Sequence, residues 1–387
     1  MSQPRQELPQ QIPVVVLAGF LGSGKTTLLN HLLHHGGGTR IGAIVNDFGS
    51  IEIDAMAVAG QLGDSTVSLG NGCLCCAVDA SELDEYLDRL TRPSARNGID
   101  GTNGIDVIVI EASGLAEPQE LVRMVLASEN PRIVYGGLVE VVDAVEFDAT
   151  RERHPELDRH LAIADLVVVN KADRIPETEH RRVLESVRGL AGGAAVVPAT
   201  YARVDPEFLF DCRPTGERIG QLSFDDLHRH HEDGPGSDSD SDSAGGDGDG
   251  HGKYDVHDGH LHSAYDSVSV ESEVPLDPRR LMTFLDSRPE GLYRIKGCVD
   301  FGAADARNKY TVHAVGRFLR FSPEPWAPGE PRLSRLVLIG AGIDAPRLSK
   351  ELTACAQDAP HTYADEHSMW GVLRYVQEPN DAESDAG

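Results

Sequence analysis

The chain has 387 residues, enough for two cores, and sets 62 acidic against 35 basic residues for a formal net charge of −27. So acidic a surface argues against nonspecific nucleic-acid binding and resembles that of proteins from salt-loving cytoplasms, where carboxylates keep the surface hydrated. No apolar stretch is long enough to span a bilayer, and residues 1–11 read as a polar, disordered start rather than a secretory leader, so a cytoplasmic setting with reduced thiols is expected.

In chain order, Ile12 to Ala18 is an apolar, β-branched run that reads as a buried strand, and Thr26 to Leu33 repeats apolar residues at helical spacing. Between them stands Gly19-Phe20-Leu21-Gly22-Ser23-Gly24-Lys25-Thr26. Its glycines let the backbone curl so that N–H groups face phosphates, and the helix N-terminus adds positive potential. Gly19, Gly22, Ser23 and Gly24 therefore form the expected cradle. Lys25 reaches the β- and γ-phosphates, the Thr26 hydroxyl ligates Mg²⁺, and Thr27 is a lesser candidate for the α-phosphate. After the strand Ile41 to Val45, Asn46-Asp47-Phe48-Gly49-Ser50-Ile51-Glu52-Ile53-Asp54 places acids near this loop. Asp47 suits Mg²⁺ or the attacking water, and Glu52 or Asp54 suits a metal; the plainer alternative is a turn with helix-capping aspartates.

Gly72-Cys73-Leu74-Cys75-Cys76 follows. In a reducing compartment clustered thiols mean metal or redox work rather than a disulfide framework. Cys73, Cys75 and Cys76 are too compact to close a tetrahedral site, but two or three thiolates can hold Zn²⁺ or Co²⁺ with a position open for transfer. Cys212, Cys298 and Cys355 are isolated and read as packing residues. The apolar run Asp106 to Ile110 ends in Glu111-Ala112-Ser113-Gly114, where Glu111 suits the Mg²⁺ shell and Gly114 the γ-phosphate. Leu166 to Val169 leads to Asn170-Lys171-Ala172-Asp173. Asp173 can accept hydrogen bonds from guanine N1 and N2, which adenine does not offer; Asn170 would tie the loop together and Lys171 pack along the base, so GTP is favoured over ATP.

Strands and helices alternate to about residue 215, which predicts an α/β fold with a parallel sheet of the P-loop NTPase type and flanking helices over residues 12–223. Residues 224–273 are rich in His, Asp and Gly and read as a flexible linker. His228, His230, His231, His251, His257, His260 and His262 lie in it, and His251, His257, His260 and His262 offer a weak auxiliary metal site; incidental histidines in a solvated linker are the bland alternative. Residues 274–376 read as a small α+β domain with helices on one face of an antiparallel sheet, Trp326 and Trp370 in its core, and residues 377–387 as an acidic tail.

Taken in order, Gly19 to Thr27, Asn46-Asp47-Phe48-Gly49, Gly72 to Cys76, Glu111 to Pro118, Val142-Asp143-Ala144 and Asn170 to Asp173 resemble the CobW family of metallochaperone GTPases. Arg294-Ile295-Lys296-Gly297 and Arg335 to Gly340 are similar to that family's C-terminal domain. The resemblance implies a P-loop GTPase, of the broad class of the hydrogenase and urease nickel-insertion GTPases, in which GTP binding and hydrolysis govern delivery of zinc, cobalt or iron to a client metalloprotein. By position it puts the metal on Cys73, Cys75 and Cys76, the phosphate and Mg²⁺ contacts on Gly22, Gly24, Lys25, Thr26, Thr27 and Glu111, and the base contacts on Asn170, Lys171 and Asp173. Asp47 and Ser50 depart from the family, which commonly has Glu at the first position and often an acid at the second. No residue stands out as a water-positioning group or arginine finger, so slow intrinsic hydrolysis is expected. The expected function is a GTP-hydrolysing metallochaperone for zinc, with cobalt next. The alternatives are a metal buffer, a redox-regulated GTPase or, within the family, a cobalamin-biosynthesis accessory or a nitrile hydratase activator. Self-association is compatible with the chain.

Overall fold

A computed structural model describes residues 11–36, 39–45, 66–68, 80–91, 105–114, 116–211, 265–287, 289–356 and 367–376. Asp47, Cys73, Cys75, Cys76, Cys212, the linker histidines and the tail 377–387 lie outside the described residues.

The first sheet has seven strands: β1 (Ile12–Ala18), β2 (Ile41–Val45), β3 (Thr66–Ser68), β4 (Val107–Glu111), β5 (Ile133–Asp143), β6 (Leu166–Asn170) and β7 (Ala195–Pro198). Their order is β3-β2-β4-β1-β5-β6-β7, and every pairing is parallel. Parallel neighbours need crossovers, and the helices that supply them cover both faces, which is why the strands are apolar throughout rather than alternating. On one face α1 (Lys25–His35) seats Leu28, Leu29 and Leu32 against Val15, Leu17, Val109 and Val141. On the other, α2 (Ala80–Thr91) and α3 (Pro118–Ala127) cover Val14, Val16, Ile110 and Leu138 with Leu83, Leu87, Leu121 and Val125. Next to them α4 (Phe147–Arg153), α5 (Leu157–Ile163) and α6 (Glu177–Leu190) close over Val142, Val167, Val169 and Val196. A short α7 (Pro206–Leu209) ends the domain.

The second sheet is antiparallel, in the order β11-β10-β9-β12-β8: β8 (Asp266–Ser272), β9 (Leu292–Val299), β10 (Asn308–Val315), β11 (Phe318–Pro325) and β12 (Ser334–Gly340). Helices α8 (Pro278–Asp286), α9 (Ala345–Thr353) and α10 (Trp370–Leu373) share one core with it, through Leu281, Phe284, Leu348, Leu352 and Val372 on Ile295, Val299, Val312 and Leu338. Both longer helices start at an aspartate cap followed by proline: Asp277 accepts from the N–H groups of Arg279 and Arg280, and Asp344 from that of Arg347.

Two sequence expectations are corrected. The linker read to residue 273 instead contains β8, whose Val268 and Val270 alternate with serines and pair with Leu338 and Leu336 of β12. The tryptophans do not fill the second core, which Phe301, Tyr310 and Phe321 occupy. Trp370 is 62% exposed. Trp326 is half-buried under two cations, Lys309 at 5.9 Å and Arg332 at 5.7 Å from its ring centre.

The two domains meet on β5. Its register against β1 slips between Val14 and Val15, so that Tyr135 faces Val14 and Gly137 faces Val15. Gly137 has φ +112, and a Cβ there would lie 2.7 Å from Val315 and 3.0 Å from the Tyr293 hydroxyl. The bulge thus admits the second domain, whose Tyr293, Val315 and Ile339 complete the core under α1. His313 bonds the Tyr135 carbonyl at 2.8 Å, and Asp211 pairs with both Arg294 and Lys296.

Candidate functional site

The phosphate loop leaves the sheet at the carboxyl end of its central region, between β1 and α1. Gly24, at φ +109, caps α1 and leaves no room for a side chain: a Cβ would stand 2.3 Å from the Asn170 amide nitrogen. The adjoining Lys25 is buried, and its ammonium donates to the carbonyls of Gly19 at 2.8 Å and Phe20 at 3.3 Å. Thr26 Oγ1 donates to Glu111 Oε1 at 2.6 Å. Glu111 is the last residue of β4, at the strand end where the sequence puts it, and is buried beside the loop. Gly114 follows on the same side, where an added Cβ would lie 2.8 Å from Leu21 N. Thr27 is exposed on the first turn of α1.

Asn170 joins the phosphate loop to two further loops. From the end of β6 its Nδ2 donates to the Ser23 carbonyl at 2.9 Å, and its Oδ1 accepts from Ala202 N at 2.7 Å. Lys171, in the left-handed region at φ +60, crosses back to the Gly22 carbonyl at 2.7 Å and to Asp143 Oδ2 at 2.6 Å. Asp173 sits in the following turn, exposed. Among the described residues the non-glycine positive φ angles fall at Lys171, Tyr201 and Ala202, all in the loops that Asn170 ties together. Such backbone costs ~1–2 kcal/mol per residue and is concentrated at working loops.

The structure therefore brings Gly19, Gly22, Ser23, Gly24, Lys25, Thr26, Glu111, Gly114, Asn170 and Lys171 to one edge of the sheet, with Asp173 at its margin. A cavity of about 210 Å³ adjoins it, lined by Phe20, Ser23, Asp143, Glu146, Phe147 and Arg153 among others. Sequence reasoning gave no role to Asp143 or to the Tyr201–Ala202 loop. The signal for Asp143 was available: like Glu111 and Asn170, it is a polar residue that closes an apolar strand. Among the described residues no group of three or more His, Cys, Asp or Glu side chains forms a metal cluster, and no helix is long and apolar enough to cross a membrane.

Comparison with known proteins bears on the whole chain. The CobW/HypB/UreG nucleotide-binding domain matches residues 13–198, and the cobalamin synthesis protein cobW C-terminal domain matches residues 265–356. The chain is 29% identical over 364 residues to the zinc chaperone CobW of Sinorhizobium sp, an alignment covering 85% of this chain and 93% of that protein. It is 29% identical over 381 residues to the zinc chaperone CobW of Pseudomonas aeruginosa, covering 88% and 91%. It is also 31% identical over 202 residues to the zinc chaperone YjiA of Escherichia coli, covering 52% and 61%. With the matched domains falling in order on the parallel and the antiparallel sheet, the chain belongs to the CobW/HypB/UreG family of P-loop GTPases, in the form that carries a CobW C-terminal domain.

Proposed function

We propose that this protein is a GTP-hydrolysing zinc chaperone: Cys73, Cys75 and Cys76 hold the metal, and the nucleotide state governs its transfer to a client protein. The supporting observation is the joint placement of Lys25, the Thr26–Glu111 pair and the Asn170 bridge, which puts phosphate-binding and base-reading groups on one rigid sheet edge. Lys25 rests on loop carbonyls from which its flexible stem can swing to the β- and γ-phosphates. Thr26 and Glu111 are oxygen donors 2.6 Å apart, which fits a small hard cation such as Mg²⁺. When bound, that cation neutralises charge on the transferring phosphoryl group. Lys171 clamps the base loop to the phosphate loop, so that Asp173 meets guanine at a fixed distance from the phosphates.

Thiolates from the Cys73–Cys76 segment suit zinc first and cobalt second, and the relatives named as zinc chaperones favour zinc. The histidines His251, His257, His260 and His262 would raise local metal concentration near that cluster. The test of the nucleotide half is a competition between GTP and ATP. The wild-type protein should hydrolyse GTP selectively, and Lys25→Ala should lower turnover by about 10²–10³-fold. Asp173→Asn should shift preference from GTP toward xanthosine triphosphate, since an amide can donate to the oxygen that replaces the guanine amino group. Equal use of ATP and GTP by the wild type would overturn the base-reading assignment.

A further inference from the structure

The carboxyl end of α1, away from the phosphate loop, carries a histidine pair that none of the roles above uses. His31 and His35 stand four residues apart, so they share one face of the helix, and their rings stack with centroids 4.5 Å apart. Each ring has one nitrogen fixed on a backbone carbonyl: His31 Nε2 lies 2.9 Å from the Val204 carbonyl oxygen, and His35 Nδ1 lies 3.0 Å from that of His31. A carbonyl can only accept, so these two nitrogens carry the ring protons, and the lone pairs stand on His31 Nδ1 and His35 Nε2. Burial, and then the adjoining His35, hold the half-buried His31 below its ordinary 6.5, which keeps its ring neutral. His35 is exposed. His34, between them and the helix end, bonds the Asn30 carbonyl at 2.6 Å. Asp205, the acid next to Val204, is engaged elsewhere: it accepts from Glu207 N at 2.9 Å and from the Tyr265 hydroxyl at 3.0 Å.

We propose that His31 and His35 form a two-imidazole site for a divalent transition metal such as zinc, nickel or cobalt, held through His31 Nδ1 and His35 Nε2. Three features suit that ligand. Metal-binding imidazoles characteristically donate their other N–H to a backbone carbonyl, which fixes the tautomer and the ring direction, and both rings do so here. The four-residue spacing brings two lone pairs on one helix face within reach of a single ion. The last turn is the negative end of the helix, which favours a cation. Nitrogen donors select these metals over Mg²⁺ and Ca²⁺, which take oxygen. Two imidazoles leave the ion's remaining positions to water, so the site is open to exchange. His35 lies about 15 Å along α1 from Lys25, so an ion here does not compete with a cation at Thr26 and Glu111. The site is separate from the cysteine segment and does not rest on it.

The test titrates the full chain, isotope-labelled at its histidine rings, with Zn²⁺ alone and follows the ring signals by NMR. The signals lost in His35→Gln and His31→Asn assign the pair; the close contact between the two rings assigns His31 should its variant, which gives up the Val204 bond, not fold. In the wild type both signals should move together with one midpoint. In His35→Gln the midpoint for His31 should rise by about tenfold or more, because the second ligand no longer acts within the same molecule. The linker histidines should keep their own midpoints in that variant, and Mg²⁺ should move neither ring. Separate midpoints for the two rings, or a His31 midpoint indifferent to His35→Gln, would overturn the site and leave a stacked pair that only packs. An equal response to Mg²⁺ would overturn the ligand class.

Discussion

At the residue scale, Asn170 and Glu140 show two opposite ways of burying a polar side chain. Asn170 is 2% exposed and satisfied on both sides, donating to the Ser23 carbonyl and accepting from Ala202 N. Asn170→Ala leaves both backbone groups without this partner, and should destabilise the protein by about 1–3 kcal/mol for each group left buried and unmade. The check is a denaturant melt beside a GDP titration; affinity should fall as well, because the base loop loses its tie to the phosphate loop. Glu140, on β5, has the opposite balance: it is fully buried, and neither carboxylate oxygen has a hydrogen-bond partner among the described residues. Its carboxyl is pushed by burial from an ordinary 4.5 up to about 8, so between those values the folded chain binds more protons than the unfolded one. Stability contributed by this group is therefore full at low pH and declines as pH rises toward 8. Thermal melts at pH 5, 6.5 and 8 should show wild type losing stability against Glu140→Gln with each step; a constant difference would contradict the burial. The phosphate loop was legible in the sequence, since its chemistry is set by neighbours along the chain. Glu140 was not, because an acid within an apolar strand is exposed or buried according to which strands flank it.

At the scale of elements, β5 connects the two halves of the molecule. Its first residues, Tyr135 to Gly137, receive Tyr293, Val315 and His313 of the second domain. Its last, Asp143, holds Lys171 beside the phosphate loop. The bulge at Gly136–Gly137 makes this joint possible. Gly137→Ala imposes a strained backbone worth ~1–2 kcal/mol and adds a contact with Val315 shorter than packed atoms tolerate. It should lower the melting temperature and speed proteolysis near the joint, while leaving isolated nucleotide contacts in place; an unchanged protease pattern would show that the joint does not depend on the bulge. The parallel sheet and the helices after it were readable from apolar runs bounded by glycine and polar strand ends. β8 escaped because its valines alternate with serines next to a low-complexity acidic stretch, and pairing with β12 appears only in three dimensions. The tryptophans misled for a related reason: size suggests burial, but Trp326 is covered by cations and Trp370 faces outward.

At the scale of the molecule, a GTPase sheet and an antiparallel second domain share one core through Tyr293, Val315 and Ile339. That shared core gives the second domain a mechanical connection to β5 and so to the nucleotide edge. The proposed chaperone action requires one further link, between nucleotide state and the cysteines proposed to hold zinc, Cys73, Cys75 and Cys76. In sequence these cysteines follow a few residues after β3, the edge strand that pairs with β2, which pairs in turn with β4 beside β1. Coupling of two sites is reciprocal, so zinc affinity must then depend on the nucleotide bound. The most direct measurement is zinc affinity of metal-free protein with a non-hydrolysable GTP analogue and with GDP, beside a Cys75→Ser/Cys76→Ser variant. A change of about fivefold or more in the wild type, absent from the variant, is the expected result. A change below twofold in the wild type would contradict it and leave a GTPase whose nucleotide does not govern zinc.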